Sequence, residues 1–148
     1  DYTLDLINKY TVDRKTALEE QYNVTKNISD SKKREASLTS LFQQLNNTPA
    51  NQFEGYEEVF LDVGLMAYRK NDFAGAVLPL QRYSDTAPND SEKKAEALYY
   101  LGQSLLAMNE KDRGLGYFRQ ITTSMPDSVY KNMAQSELED EAWINSNR

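Results

Sequence analysis

The densest group of reactive side chains in this sequence is an acidic run near its end. Glu137, Glu139, Asp140 and Glu141 place four carboxylates within five residues. Successive residues of a helix point roughly 100° apart, so these four cannot converge on one site. Glycoside hydrolysis needs two carboxylates held across a cleft, and a calcium loop alternates acidic residues with a glycine. The run matches neither pattern, and we expect a solvated helix face without catalytic or metal-binding function.

Other catalytic chemistry is restricted by composition. Cysteine and histidine are both absent, which removes thiol nucleophiles, histidine bases and the usual zinc ligands. The net charge of −6 argues against nucleic acid, because phosphate contacts need clustered Lys and Arg. No apolar run is long enough to predict a membrane-spanning segment. The sequence therefore predicts a protein that is not an enzyme, with no cofactor, no metal and no nucleic-acid partner.

A spacing that occurs twice indicates how the chain is organised. The second series follows the first by 38 residues, as from Gly64 to Gly102. Self-similarity at a period between about 20 and 50 residues is typical of stacked repeats. The first series is Gly64, Ala76, Leu80, Tyr83 and Pro88, and the second is Gly102, Gly114, Phe118, Ile121 and Pro126.

The elements that carry this spacing are predicted to be helices, because apolar residues recur with a helical period and sustained alternation is lacking. A first helix is expected with an interruption near Val12–Lys15, and Ser29 or Asp30 should cap the second. Tight turns are expected at Asn71-Asp72 and Asn109-Glu110. The predicted all-α chain has about seven helices, near residues 3–23, 30–46, 53–70, 73–86, 91–108, 111–124 and 128–145.

The matched positions resemble the tetratricopeptide repeat, a helix–turn–helix unit. That family places a small residue in each helix at their contact, a large apolar residue later in the second helix, and a closing proline. The period here exceeds the usual 34 residues. Extended repeats of this kind resemble those of bacterial cell-envelope proteins, which implies a periplasmic or cell-envelope location. The residues that match the pattern are Gly64 and Gly102, Ala76 and Gly114, Leu80 and Phe118, and Pro88 and Pro126.

The resemblance implies an α-solenoid and a scaffold or adaptor that binds a protein or peptide partner. It divides the chain into a helical pair over residues 1–50, two repeats over 51–126, and a capping or continuing helix over 127–148. The partner would lie in the concave groove formed by the first helix of each pair. Tyrosine suits such a surface, because its ring buries area while its hydroxyl keeps a partner. The predicted groove residues are Glu58, Leu61, Leu65, Tyr68, Arg69, Glu96, Tyr99, Gln103 and Leu106.

Two alternatives to an open groove remain at this stage. The groove residues could pack against the chain's own N-terminal helices, within residues 1–46, which would make the chain a structural or oligomerisation domain of a larger protein. They could also form a homodimer face. Only two repeats are evident where about three are normally needed, so the flanking helices must supply further burial. Trp143 and Ile144 near the end predict either a last helix that folds back or a protein that continues.

Overall fold

The structure of this protein, a computed structural model, describes residues 2–88 and 91–147. Over these ranges it has seven α-helices and no β-strand, and the helices pack in neighbouring pairs. The predicted all-α array of helical hairpins is therefore confirmed. The helices are α1 (Tyr2–Thr25), α2 (Ser31–Asn47), α3 (Glu57–Arg69), α4 (Phe73–Thr86), α5 (Glu92–Ala107), α6 (Lys111–Ser124) and α7 (Lys131–Ser146), with a 3₁₀ turn at Pro49–Asn51.

The chain forms two compact units, Asp1–Val63 and Gly64–Arg148. Their boundary falls within α3, so the first half of that helix belongs to the first unit and the second half to the second. Each unit has its own buried apolar residues, and each is described separately below.

The first unit is built on an antiparallel hairpin of α1 and α2. The Thr25 and Ser37 hydroxyls lie 2.6 Å apart near the connection, and the Arg14 side chain donates to Gln44 near the other end. Because α2 ends three residues after Gln44, the first ten or so residues of α1 extend beyond it by roughly 15 Å. Leu4 and Ile7, on the face that α1 otherwise buries, are accordingly 55% and 57% exposed.

Two predicted boundaries in the first unit are wrong. The helix α1 runs without the interruption expected near Val12–Lys15, because it contains neither glycine nor proline and the polar Arg14 there contacts Gln44. The helix α3 begins at Glu57, about four residues later than expected. Gly55 holds a φ of +89° in the preceding turn, a conformation that interrupts a right-handed helix. The cap at Asp30 is confirmed, since its side chain accepts from the Lys33 N–H at 3.1 Å.

The second unit contains the later part of the first predicted repeat and all of the second, and the inner turns of the two repeats are built alike. Asn71 and Asn109 both have a φ of +61°. After each asparagine, the next N–H bonds back to the helix, from Asp72 to the Ala67 carbonyl and from Glu110 to the Leu105 carbonyl. This is the Schellman ending, which suits asparagine because its short side chain tolerates the left-handed conformation.

Close contact between helices explains the repeated glycines. A Cβ built at Gly64 would lie 2.5 Å from the Leu80 side chain, and one at Gly102 would lie 2.7 Å from the Phe118 ring. Only glycine permits the helices of each hairpin to approach this closely. The helix α5 packs on both α4 and α6, and α7 packs on α6, so the interior of this unit is continuous from hairpin to hairpin.

Candidate functional site

Four tyrosines of the second unit meet in one group, here called the tyrosine cluster: Tyr68, Tyr99, Tyr100 and Tyr130. The ring centroids of Tyr68 and Tyr100 lie 4.7 Å apart, and those of Tyr99 and Tyr130 lie 5.5 Å apart. Tyr100 also lies 5.3 Å from Tyr99 and 6.2 Å from Tyr130. These separations are those of stabilising aromatic pairs, so the cluster is a continuous aromatic surface.

Three different elements contribute to the tyrosine cluster. Tyr68 comes from the last turn of α3, the doublet Tyr99-Tyr100 from the middle of α5, and Tyr130 directly precedes α7. The side chains of neighbouring residues on a helix point in different directions, so Tyr99 and Tyr100 lie in different environments. Tyr99 is 7% exposed and packs against Phe118 of α6 at 5.6 Å, whereas Tyr100 is half-buried and packs against Tyr68.

The hydroxyls of the cluster are tied to polar side chains. The Gln103 amide donates to the Tyr99 hydroxyl at 2.9 Å and to the Glu137 carboxylate at 2.8 Å. The Tyr130 hydroxyl donates to the Glu96 carboxylate at 3.1 Å. Gln103 and Glu96 lie on α5 while Glu137 lies on α7, so these bonds connect the two helices across the tyrosine rings.

The surroundings of Tyr68, Tyr99 and Tyr130 raise the pKa of each phenol and favour its protonated form. Burial raises the pKa of Tyr68 and of Tyr99, and the negative charge of Glu137 raises both further. Burial also raises the pKa of Tyr130, together with the charge of Glu96 and the hydrogen bond to it. A phenol with a raised pKa is a weak acid that holds almost no phenolate at neutral pH, so these three tyrosines suit contact and hydrogen bonding.

A small pocket of about 120 Å³ opens between α3 and α5 beside the cluster. Small-molecule sites usually enclose about 300–1,000 Å³, so this pocket has room for a single side chain. It is lined by Leu65, Tyr68, Arg69, Glu96 and Tyr100.

Four of the nine predicted groove residues line this pocket: Leu65, Tyr68, Arg69 and Glu96. Tyr99 belongs to the adjoining tyrosine cluster and Gln103 is hydrogen-bonded to it, while Leu106 packs half-buried against the core of the second unit. Glu58 and Leu61 belong to the first unit, where Leu61 is only 4% exposed.

Three residues of the site were missed from the sequence: Tyr100, Tyr130 and Glu137. Tyr100 could have been found, since it is half of a tyrosine doublet on a predicted groove helix. Tyr130 stands outside the repeated spacing and gave no signal. Glu137 was expected on a solvated face; the four carboxylates do diverge, but Glu137 is half-buried and Glu141 lies 3.1 Å from the Lys111 ammonium.

The described part of the chain has neither a candidate metal site nor a candidate membrane-spanning helix. Residues 2–88 and 91–147 hold no group of three or more acidic, Cys or His side chains placed to bind a metal ion. None of the helices in those ranges combines the length and the apolar character needed to cross a membrane.

Comparison with known proteins gives one match. Residues 96–128 match the family model described as tetratricopeptide repeat. This segment spans most of α5, all of α6 and the turn that follows, which is the second of the two predicted repeats. No curated protein and no solved structure matches the chain.

Proposed function

We propose that the chain is a non-catalytic interaction module, a scaffold or adaptor that binds a segment of a partner protein at the pocket between α3 and α5. The match at residues 96–128 supports a tetratricopeptide-repeat family for this chain, and such repeats generally mediate protein–protein interaction. The cell-envelope location is part of this proposal and rests on the resemblance of the extended repeats alone.

The observation that carries the proposal is an accessible pocket with aromatic walls and charged groups at its rim. Tyr68 and Tyr100 supply ring surface, and Leu65 supplies an apolar wall. Tyrosine and arginine are enriched among the residues that dominate binding energy at interfaces, and Arg69 lies at the rim. A partner side chain in this pocket would bury apolar area while the rim charges set its register.

The sharpest test replaces Tyr68, because it is half-buried and lines the pocket. Replacing Tyr99 would be uninformative, since truncating so buried an aromatic costs about 3–5 kcal/mol of stability and would lower binding through unfolding. Tyr117 of α6 is the matched control, because it is also half-buried and its hydroxyl accepts a hydrogen bond from Gln81 at 3.1 Å.

The experiment selects peptides from a random-peptide display library on the wild-type protein and measures their affinity for each variant. We expect Tyr68→Ala to weaken binding by about tenfold and Tyr117→Ala to leave it nearly unchanged, with equal helicity by circular dichroism. A library that yields no binder, or binders that both variants retain equally, would refute the proposed function.

A second candidate function is a structural or oligomerisation domain, and the exposed end of α1 favours it. Leu4, Leu6 and Ile7 are each about half exposed or more, and single exposed apolar residues are more usual on a protein surface than a continuous group. Sedimentation analysis tests the oligomerisation role: a concentration-dependent dimer abolished by Leu4→Asp would support it, whereas a monomer at all concentrations would exclude it.

A further inference from the structure

Two carboxylates lack an ionic partner among the described residues: Glu96, which lines the pocket between α3 and α5, and Glu137, which is bonded to Gln103 beside the tyrosine cluster. Glu96 and Glu137 are both half-buried, and each accepts a hydrogen bond from a neutral donor, the Tyr130 hydroxyl and the Gln103 amide respectively. Within residues 2–88 and 91–147, neither carboxylate forms an ion pair with lysine or arginine. A carboxylate that is partly removed from water without a counter-ion is costly, so the site favours an incoming cation.

The negative charge of the two carboxylates also affects the pKa values of nearby tyrosines. The charge of Glu137 contributes to raising the pKa of both Tyr68 and Tyr99, and the charge of Glu96 contributes to raising that of Tyr130. Because the pKa values of three of the four tyrosines are raised in this way, the negative charge acts across most of the tyrosine cluster.

The walls of the pocket also suit a cation. The rings of Tyr68 and Tyr100 both line it, with their centroids 4.7 Å apart. A cation above an aromatic face is attracted by the negative charge of that face, and the attraction grows when the pair is partly desolvated. Leu65 offers an apolar surface on which the aliphatic stem of a long side chain can pack.

We propose that this pocket receives a lysine or arginine side chain from the partner segment, with its charge close to the Glu96 carboxylate and to the exposed ring surface of Tyr68 and Tyr100. This inference rests on the proposed function and adds the chemistry of the partner. Arg69 also lines the pocket, but its side chain is exposed, so solvent screens its charge more than that of the half-buried Glu96.

The test uses the display-selected peptides with two matched changes. The first replaces each lysine of a selected peptide by norleucine, or each arginine by citrulline, which keeps length but removes charge. The second compares Glu96→Gln with Glu139→Gln. Both variants lose one negative charge, but Glu139 is exposed on α7, where it accepts a hydrogen bond from Gln135, so it controls for net charge.

We expect the selected peptides to be enriched in basic residues, one of which is sensitive to the neutral replacement. That replacement and Glu96→Gln should each weaken binding by about five- to thirtyfold, and the combination should weaken it little further because both remove one interaction. Glu139→Gln should change affinity less than about twofold at moderate ionic strength.

Each contrary result has a separate meaning. Selected peptides that tolerate the neutral replacement and bind Glu96→Gln as tightly as wild type would overturn the basic-side-chain proposal while leaving an interaction module intact. Equal losses in Glu96→Gln and Glu139→Gln would also overturn it, since binding would then follow net charge. A library without binders would refute the proposed function itself.

Discussion

The close contact at Gly102 makes a quantitative prediction about how α5 and α6 are held together. An alanine Cβ at this position would lie 2.7 Å and 2.8 Å from two atoms of the Phe118 ring and 3.0 Å from the Gly114 carbonyl oxygen. The ring is fully buried and packs against Tyr99, so it cannot move without disturbing the base of the tyrosine cluster.

The expected magnitude follows from two opposing terms. Alanine is favoured over glycine inside a helix by about 1 kcal/mol. An added methyl group in a closely packed interior costs about 1–3 kcal/mol. Gly116 of α6 provides the control, because a Cβ there meets nothing within 4 Å and gains only the first term. Gly102→Ala should therefore be less stable than Gly116→Ala by about 1–3 kcal/mol.

Urea unfolding followed by far-ultraviolet circular dichroism measures this difference. Tryptophan fluorescence would report it poorly, because the single tryptophan, Trp143, is already 67% exposed in the folded protein. We expect Gly116→Ala to raise the unfolding midpoint and Gly102→Ala to lower it relative to Gly116→Ala, at similar slopes. Coincident midpoints would show that the helices separate at little cost, and the reasoning from close packing would be wrong.

Two further predictions concern a turn and a buried hydroxyl. Asn71→Ala should lower the free energy of unfolding by about 1–2 kcal/mol, because alanine is strained at a φ of +61°, whereas Asn71→Gly should be nearly neutral; equal urea midpoints for the two variants would contradict this. Burial and the 2.6 Å hydrogen bond to Asp62 raise the pKa of Tyr22 above the ordinary value of 10.0, so above about pH 10 the folded state holds a proton that the unfolded state loses, and stability falls as pH rises. Tyr22→Phe should make that fall shallower by at most about 1.4 kcal/mol per pH unit, as measured by urea midpoints between about pH 9 and 11; an unchanged slope would assign the fall to other groups.

Local signals in the sequence predicted the repeats well. The bounds of α4 and α6 agree with the predictions to the residue, because short turns with asparagine fix where each helix pair reverses. The glycines at 64 and 102 were correctly read as points of close approach. These features depend on residues near one another in sequence, where spacing is directly visible.

Long-range packing was less predictable. That Tyr99 is buried while Tyr100 faces the pocket depends on the rotation of α5 against α4 and α6, which the repeat spacing does not determine to one residue. The bond from Tyr130 to Glu96 joins the second repeat to the segment that follows it, and Tyr130 lies just before α7. The continuity of α1 was missed because the contact between Arg14 and Gln44 replaces apolar packing with a polar pair.

The overhang of α1 beyond α2 divides one continuous helix into two regions of different local stability. Residues around Leu18 and Tyr22 are buried in the hairpin, so their amide hydrogens should exchange with solvent only when the first unit opens. The residues around Leu4 and Ile7 extend beyond α2, and their side chains are more than half exposed. An uncovered helix of this length is marginal in water, so its amides should exchange by fraying, orders of magnitude faster. The amide exchange rates within this one helix should therefore range from those of a fraying peptide to those of a folded interior.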